Sequence, residues 1–62
     1  MELILDNERK AVEFRGTIEG LLKSMELSRE EVVVKLNGRL AADTTGIGPD
    51  DRVEVIKVVF GG

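Results

Sequence analysis

The chain has 62 residues, a mass of 6.8 kDa and an apolar fraction of 42%, enough for one small domain but too little to also wall a substrate pocket of roughly 300 Å³; this argues against a self-sufficient catalyst. Histidine and cysteine are absent, which removes imidazole and thiolate zinc ligands, His-activated nucleophiles and any disulfide. Nine basic and twelve acidic side chains leave a net charge of −3, and phenylalanine, present twice, is the only aromatic, so neither phosphate backbones nor stacked bases are favoured partners.

Met1 to Leu5 holds the apolar run Leu3-Ile4-Leu5 and reads as a strand. Ala11 to Arg15 alternates, with Val12 and Phe14 on one face, and predicts a second strand. The charged stretch Asp6 to Lys10 between them has the length of a hairpin connection. Gly16 ends that strand and Thr17 caps a helix in which Ile18, Leu21, Leu22 and Met25 recur at i, i+3, i+4 and i+7. Glu19 and Lys23 form an i,i+4 pair on its outer side, and Gly20 is a glycine inside the helix.

Ser28-Arg29-Glu30-Glu31 has the spacing of a capping box, yet the β-branched run Val32-Val33-Val34-Lys35-Leu36 follows, so a turn is predicted rather than a second helix. Asn37-Gly38 is a strong hairpin signal, because both central positions of a type I′ turn need positive φ, and Arg39-Leu40-Ala41 returns as a short strand. Residues 42–51 are rich in turn formers around a single core candidate, Ile47. Val53 to Val59 is the longest β-forming segment and suits a central strand. The predicted fold is an α+β roll: a mixed sheet of four to five strands with one helix packed on one face. A domain is expected over 1–60, with a flexible diglycine tail at 61–62. No apolar run exceeds three residues, against roughly 20 for a bilayer span, and Glu2 stands where a signal peptide carries positive charge. The expected setting is cytoplasmic, without a membrane partner.

The order of these elements, the Val32–Gly38 strand and turn, the Asp51-Arg52-Val53-Glu54-Val55 segment and the final Gly61-Gly62 together resemble the ubiquitin-like β-grasp sulfur carriers. That family includes the thiamine-pathway carrier, the small subunit of molybdopterin synthase and the archaeal small modifier proteins. One departure stands out: the family commonly has Asp-Gly-Asp before its last strand, whereas this chain has Pro49-Asp50-Asp51, which requires Asp50 to take the left-handed conformation that glycine would adopt.

The resemblance implies a protein co-substrate rather than an enzyme. A partner adenylating (E1-like) enzyme would join the Gly62 carboxylate to AMP using ATP and Mg²⁺. A sulfur donor would then leave a thiocarboxylate, for a sulfur-accepting synthase of the thiamine or molybdopterin pathway or for tRNA thiolation. The carrier itself would bind no cofactor and would be monomeric on its own. Gly61 and Gly62 suit passage through a narrow channel because they lack Cβ, and Phe60 precedes them without assigning a pathway. Val59 to Gly62, extended, would reach about 13–14 Å. Two alternatives stay open: a modifier joined to target lysines through Gly62, and a β-grasp interaction module without tail chemistry.

Docking needs a surface. If Val53 and Val55 face the helix, period-2 alternation sends Ile56 and Val58 to the other face, and Val33 and Lys35 likewise if Val32, Val34 and Leu36 point inward. Val33, Lys35, Ile56 and Val58 are therefore the candidate docking residues. Lys57 breaks the alternation, so the strand leaves the core or bulges there; Lys57 and Arg52 are candidates to pair with acidic groups on a partner. Arg9, Arg15, Arg29, Arg39 and Arg52 read as solvated surface, and Asp43, Asp50 and Asp51 as turn residues rather than cation ligands.

Overall fold

Alternating apolar residues build the sheet first. In the computed structural model, which describes residues 1–58, Leu3 of strand β1 (Glu2–Leu5) is buried while Ile4 lies on the opposite face. Strand β2 (Glu8–Ala11) follows after only two residues, Asp6 and Asn7, whose φ values of 53° and 65° give the mirror-image turn that matches strand twist. Asx side chains accept that left-handed backbone better than most residues. The second strand is therefore 8–11 and not 11–15. Its Glu-Arg-Lys-Ala sequence is exposed throughout, so it carries no apolar signature. Val12 continues the ladder by one exchange with Met1: its amide donates to the Met1 carbonyl (2.9 Å) and the Met1 amino group donates to its carbonyl (2.8 Å). The alternation of Val12 and Phe14 is real, since both pack against the core, but beyond Val12 the segment pairs with no strand among the described residues.

A two-residue strand β3 (Gly16–Thr17) pairs with a second one, β6 (Gly46–Ile47), outside the main sheet. Gly16 has φ 141°, and a Cβ there would lie 3.3 Å from the Phe14 ring, so the close approach and the backbone both require glycine. Thr17 caps helix α1 (Ile18–Ser24), its hydroxyl accepting from the Gly20 amide at 3.2 Å. Ile18, Leu21 and Leu22 are buried and Met25 half-buried, while Lys23 and Glu19 pair outside at 3.1 Å.

The helix ends in a complete Schellman arrangement. The Leu27 amide donates to the Leu22 carbonyl (2.9 Å) and the Glu26 amide to the Lys23 carbonyl (3.1 Å), with Glu26 at φ 58° in the position normally held by glycine. Replacing Glu26 by glycine should therefore raise stability by about 1 kcal/mol, the order of the left-handed penalty it removes. A urea midpoint that stays put or falls would contradict this.

The turn predicted at Ser28 to Glu31 is a single 3₁₀ turn, Arg29–Glu31, and the Ser28 side chain makes no cap despite the capping-box spacing. Strand β4 (Val32–Leu36) then runs antiparallel to β7 (Arg52–Lys57) in unbroken register from Val32↔Lys57 to Leu36↔Val53. The Asn37-Gly38 turn, with φ 52° and 84°, leads to β5 (Arg39–Leu40). The sheet order is β2-β1-β7-β4-β5, with β1 parallel to β7, so β7 is central as its composition predicts. Val53 and Val55 are buried against α1 together with Leu3, Val32, Val34 and Ile47.

The Pro49-Asp50-Asp51 departure resolves differently from the sequence expectation. Asp50 does not take positive φ. The Asp51 amide instead donates to the Gly48 carbonyl (3.3 Å), closing an i,i+3 turn with proline at its favoured second position. The Asp51 carboxylate accepts from the Gly48 amide (2.7 Å) and from Asn37 Nδ2 (3.0 Å), and the Asn37 side-chain oxygen accepts the Arg52 amide (2.9 Å). One side chain thus ties the hairpin turn to the start of β7.

Asn37, and next the Gly48 amide, hold the Asp51 carboxyl below its ordinary value of 3.8. The folded state binds this proton more weakly than the unfolded chain, so the contribution is present above about pH 4 and is lost as pH falls through the lowered value. The stability difference between the native chain and Asp51→Asn should shrink on acidification from neutral pH into that range, and urea midpoints that stay parallel across it would rule the linkage out.

Candidate functional site

The point where the chain leaves the sheet lies at the end of its central strand. Val58 is the last described residue, and its amide donates to the Glu31 carbonyl at 2.8 Å, one step beyond the Val32↔Lys57 pair. Phe60, Gly61 and Gly62, the tail residues of the sequence reading, lie outside the described residues.

The candidate docking residues share the sheet face opposite the helix, as alternation predicts. Val33 and Ile56 are directly opposed across β4 and β7, and Lys35 opposes Glu54. Val33 and Lys35 are half-buried, whereas Ile56 and Val58 are each 38% exposed. Two apolar residues that sequence reasoning missed join this face. Ile4 pairs with Glu54 on the β1 side, and Leu40, 75% exposed, pairs with Lys35 on the β5 side. Their signal was the register: that of Leu40 follows from the Asn37-Gly38 turn, whereas that of Ile4 comes from the long-range parallel pairing of β1 with β7. The result is an apolar strip reaching from the sheet to the tail root.

Lys57 leaves the core without a bulge, since the register is continuous. Its ammonium lies 3.6 Å from Asp6 in the β1–β2 turn, so its acidic partner is within the chain. Arg29 also departs from the solvated role expected of it. Its guanidinium donates to the Val32 carbonyl (3.1 Å), the Ala41 carbonyl (3.3 Å) and the Asp43 carboxylate. Asp43 and Asp51 are thus spoken for by Arg29 and by Asn37 with Gly48, in line with turn roles. Among the described residues no three acidic side chains gather in a form that could hold a metal ion. A surface hollow of about 700 Å³ is lined by Glu2, Arg9, Arg52, Asp50 and Asp51 among others; it lies where β7 begins, away from Val58. No described helix is long and apolar enough to cross a membrane.

The comparisons with known proteins bear on this geometry. Residues 4–62 match the family model of the ThiS family. The crystal structure of the thiamine biosynthesis protein ThiS from Geobacter metallireducens superposes with a TM-score of 0.67 at 26% identity, covering 100% of both chains. The solution structure of a thiamine biosynthesis protein from the same organism gives 0.69 at 26% identity, covering 100% of this chain and 88% of that one. No curated protein sequence matches. A family match that runs from β1 through the diglycine, on a five-stranded sheet with one helix across it, means that this chain belongs to the ThiS family of β-grasp sulfur carriers, proteins that act with partner enzymes rather than as catalysts.

Proposed function

We propose that the sulfur travels as a thiocarboxylate on Gly62 and is destined for thiamine biosynthesis. The observation that supports this most directly is the family match extending through residue 62, on a body whose central strand delivers the chain toward that end.

The α-carboxylate of a C-terminal glycine is ionised at neutral pH and a weak nucleophile. It needs activation by a partner. In the first step a carboxylate oxygen attacks the α-phosphorus of ATP, held with Mg²⁺ by an adenylating enzyme, and pyrophosphate leaves. In the second, a sulfide-level donor attacks the acyl carbon and AMP leaves, so the glycyl end has exchanged one oxygen for sulfur. The folded body contributes the docking strip of Val33, Ile56 and Val58, flanked by Lys35, and the glycines let the backbone enter a narrow channel.

Intact-mass analysis after incubation with an adenylating enzyme of this family, ATP, Mg²⁺ and sulfide tests the reading. Exchange of one oxygen for sulfur, mapped to the C-terminal peptide, is the expected result. Branched glycyl-lysine conjugates in cell extract without that exchange would make the protein a modifier instead, and an unchanged mass in both assays would leave a binding module.

A further inference from the structure

The turn that joins β4 to β5 is chemically labile, because an asparagine followed by glycine can close on itself. The Gly38 nitrogen bonds to the carbonyl carbon of the Asn37 side chain, its proton ends on the departing ammonia, and a cyclic succinimide is left. Water then opens the ring at either carbonyl and leaves aspartate or isoaspartate at position 37. Glycine favours the attack because no side chain hinders its nitrogen. Asn37 and Gly38 are both exposed, and nothing lies within 4 Å of the place a Cβ on Gly38 would take. The chain has two asparagines and no glutamine; the other asparagine, Asn7, precedes Glu8, whose side chain obstructs the same step.

The fold keeps the reacting group of Asn37 occupied elsewhere. Its side-chain amide reaches across to the start of β7, where Nδ2 donates to one oxygen of Asp51 (3.0 Å) and Oδ1 accepts the Arg52 amide (2.9 Å). The Asn37 backbone amide donates to the Arg52 carbonyl (2.8 Å), so side chain and main chain are fastened to the same short segment. The other Asp51 oxygen is fixed in turn by the Gly48 amide (2.7 Å). Cyclisation swings the side-chain carbonyl carbon onto the Gly38 nitrogen and must first break both side-chain bonds. We propose that Asn37 is a site of spontaneous deamidation, and that the Asp51 carboxylate governs its rate by holding the amide away from Gly38. The product cannot restore the clamp. An aspartate at position 37 has no N–H to donate and sets a second carboxylate against that of Asp51. An isoaspartate also adds a methylene to the main chain inside a two-residue turn whose geometry sets the hairpin register. Either product loosens the join between this turn and β7.

The test follows deamidation of the full chain at neutral pH by intact mass, with peptide mapping to separate Asn37 from Asn7 and aspartate from isoaspartate. Folded, the native chain should react at Asn37 at least about tenfold more slowly than the same chain held unfolded in urea, because the clamp must open first. Asp51→Ala, its folding checked by amide dispersion, should raise the folded rate about fivefold or more. Asp51→Asn keeps the shape but offers a single acceptor oxygen to two donors; it should fall between native and alanine, and it decides the matter should the alanine variant not fold. Ile18→Val trims a fully buried side chain in α1 and lowers stability without touching the clamp, so it should keep the native rate. Asn37→Asp, which installs one product directly, should have a lower urea midpoint than the native chain. Equal rates for the native chain folded and unfolded, a native rate in the folded Asp51 variants, or an Ile18→Val rate as fast as theirs would each overturn the proposal, and an unchanged midpoint for Asn37→Asp would overturn the loss of the clamp.

Discussion

A chain shortened by Gly62 alone is expected to acquire sulfur at least about a hundredfold more slowly than the complete one. Each extended residue spans roughly 3.3–3.6 Å, so its loss withdraws the carboxylate from the adenylating centre by several times the displacement of about 1 Å that already costs on the order of a hundredfold. The body is left intact, because the Val58–Glu31 bond and the core lie upstream of the deletion. Gly61→Val keeps the length and adds a branched side chain, which separates reach from width: it should also slow loading if the channel is narrow. The measurement is the time course of oxygen-to-sulfur exchange by intact mass, with unchanged amide dispersion as the control for folding. Equal rates for the full and shortened chains would remove Gly62 from the chemistry.

The largest effect on stability is expected from Leu21→Ala. Leu21 sits in the middle of α1 at 2% exposure, between the helix and the valines of β4 and β7. Alanine is the best helix former, so the helix is not weakened, and the change isolates the lost burial and the cavity left behind. Such truncations cost about 2–5 kcal/mol, whereas a domain of this length has roughly 3–9 kcal/mol in total. The variant should therefore lose about half of its stability and unfold at a markedly lower temperature. Leu40→Ala removes the same atoms from a side chain that is 75% exposed and should change stability by no more than about 0.5 kcal/mol. Thermal unfolding of the two side by side decides the matter, and similar midpoints would mean that the core is not centred where the buried residues place it.

What could be read from the chain before the structure, and what could not, divides by the range of the interaction. The Ile18, Leu21, Leu22 spacing, the Asn37-Gly38 turn and the alternation through β4 and β7 are local patterns, and they placed the helix, the hairpin and the two faces of the sheet correctly. Val33, Lys35, Ile56 and Val58 fell on one face for the same reason. Strand β2 escaped notice because an exposed edge strand of Glu, Arg, Lys and Ala has no hydrophobic period to detect. Arg29 escaped because its acceptors lie up to 14 residues away, and nothing in its neighbours distinguishes it from an ordinary surface arginine. Asp51 and Asn37 are likewise 14 residues apart, so their clamp became visible only once the register of β4 and β7 was known. Glu26 in a left-handed position contradicts local preference altogether; the Schellman bonds around it, not its own side chain, hold it there.

The parallel pairing of the first strand with the last has a practical consequence. Glu2 lies beside Arg52, and Leu5 beside Val55, so Met1 is at the pole where the last strand begins and Val58 is at the opposite pole. An affinity handle or fluorophore attached ahead of Met1 would sit at the pole away from Val58, so labelling at the amino terminus leaves that end of the central strand uncovered for kinetic work on the carrier.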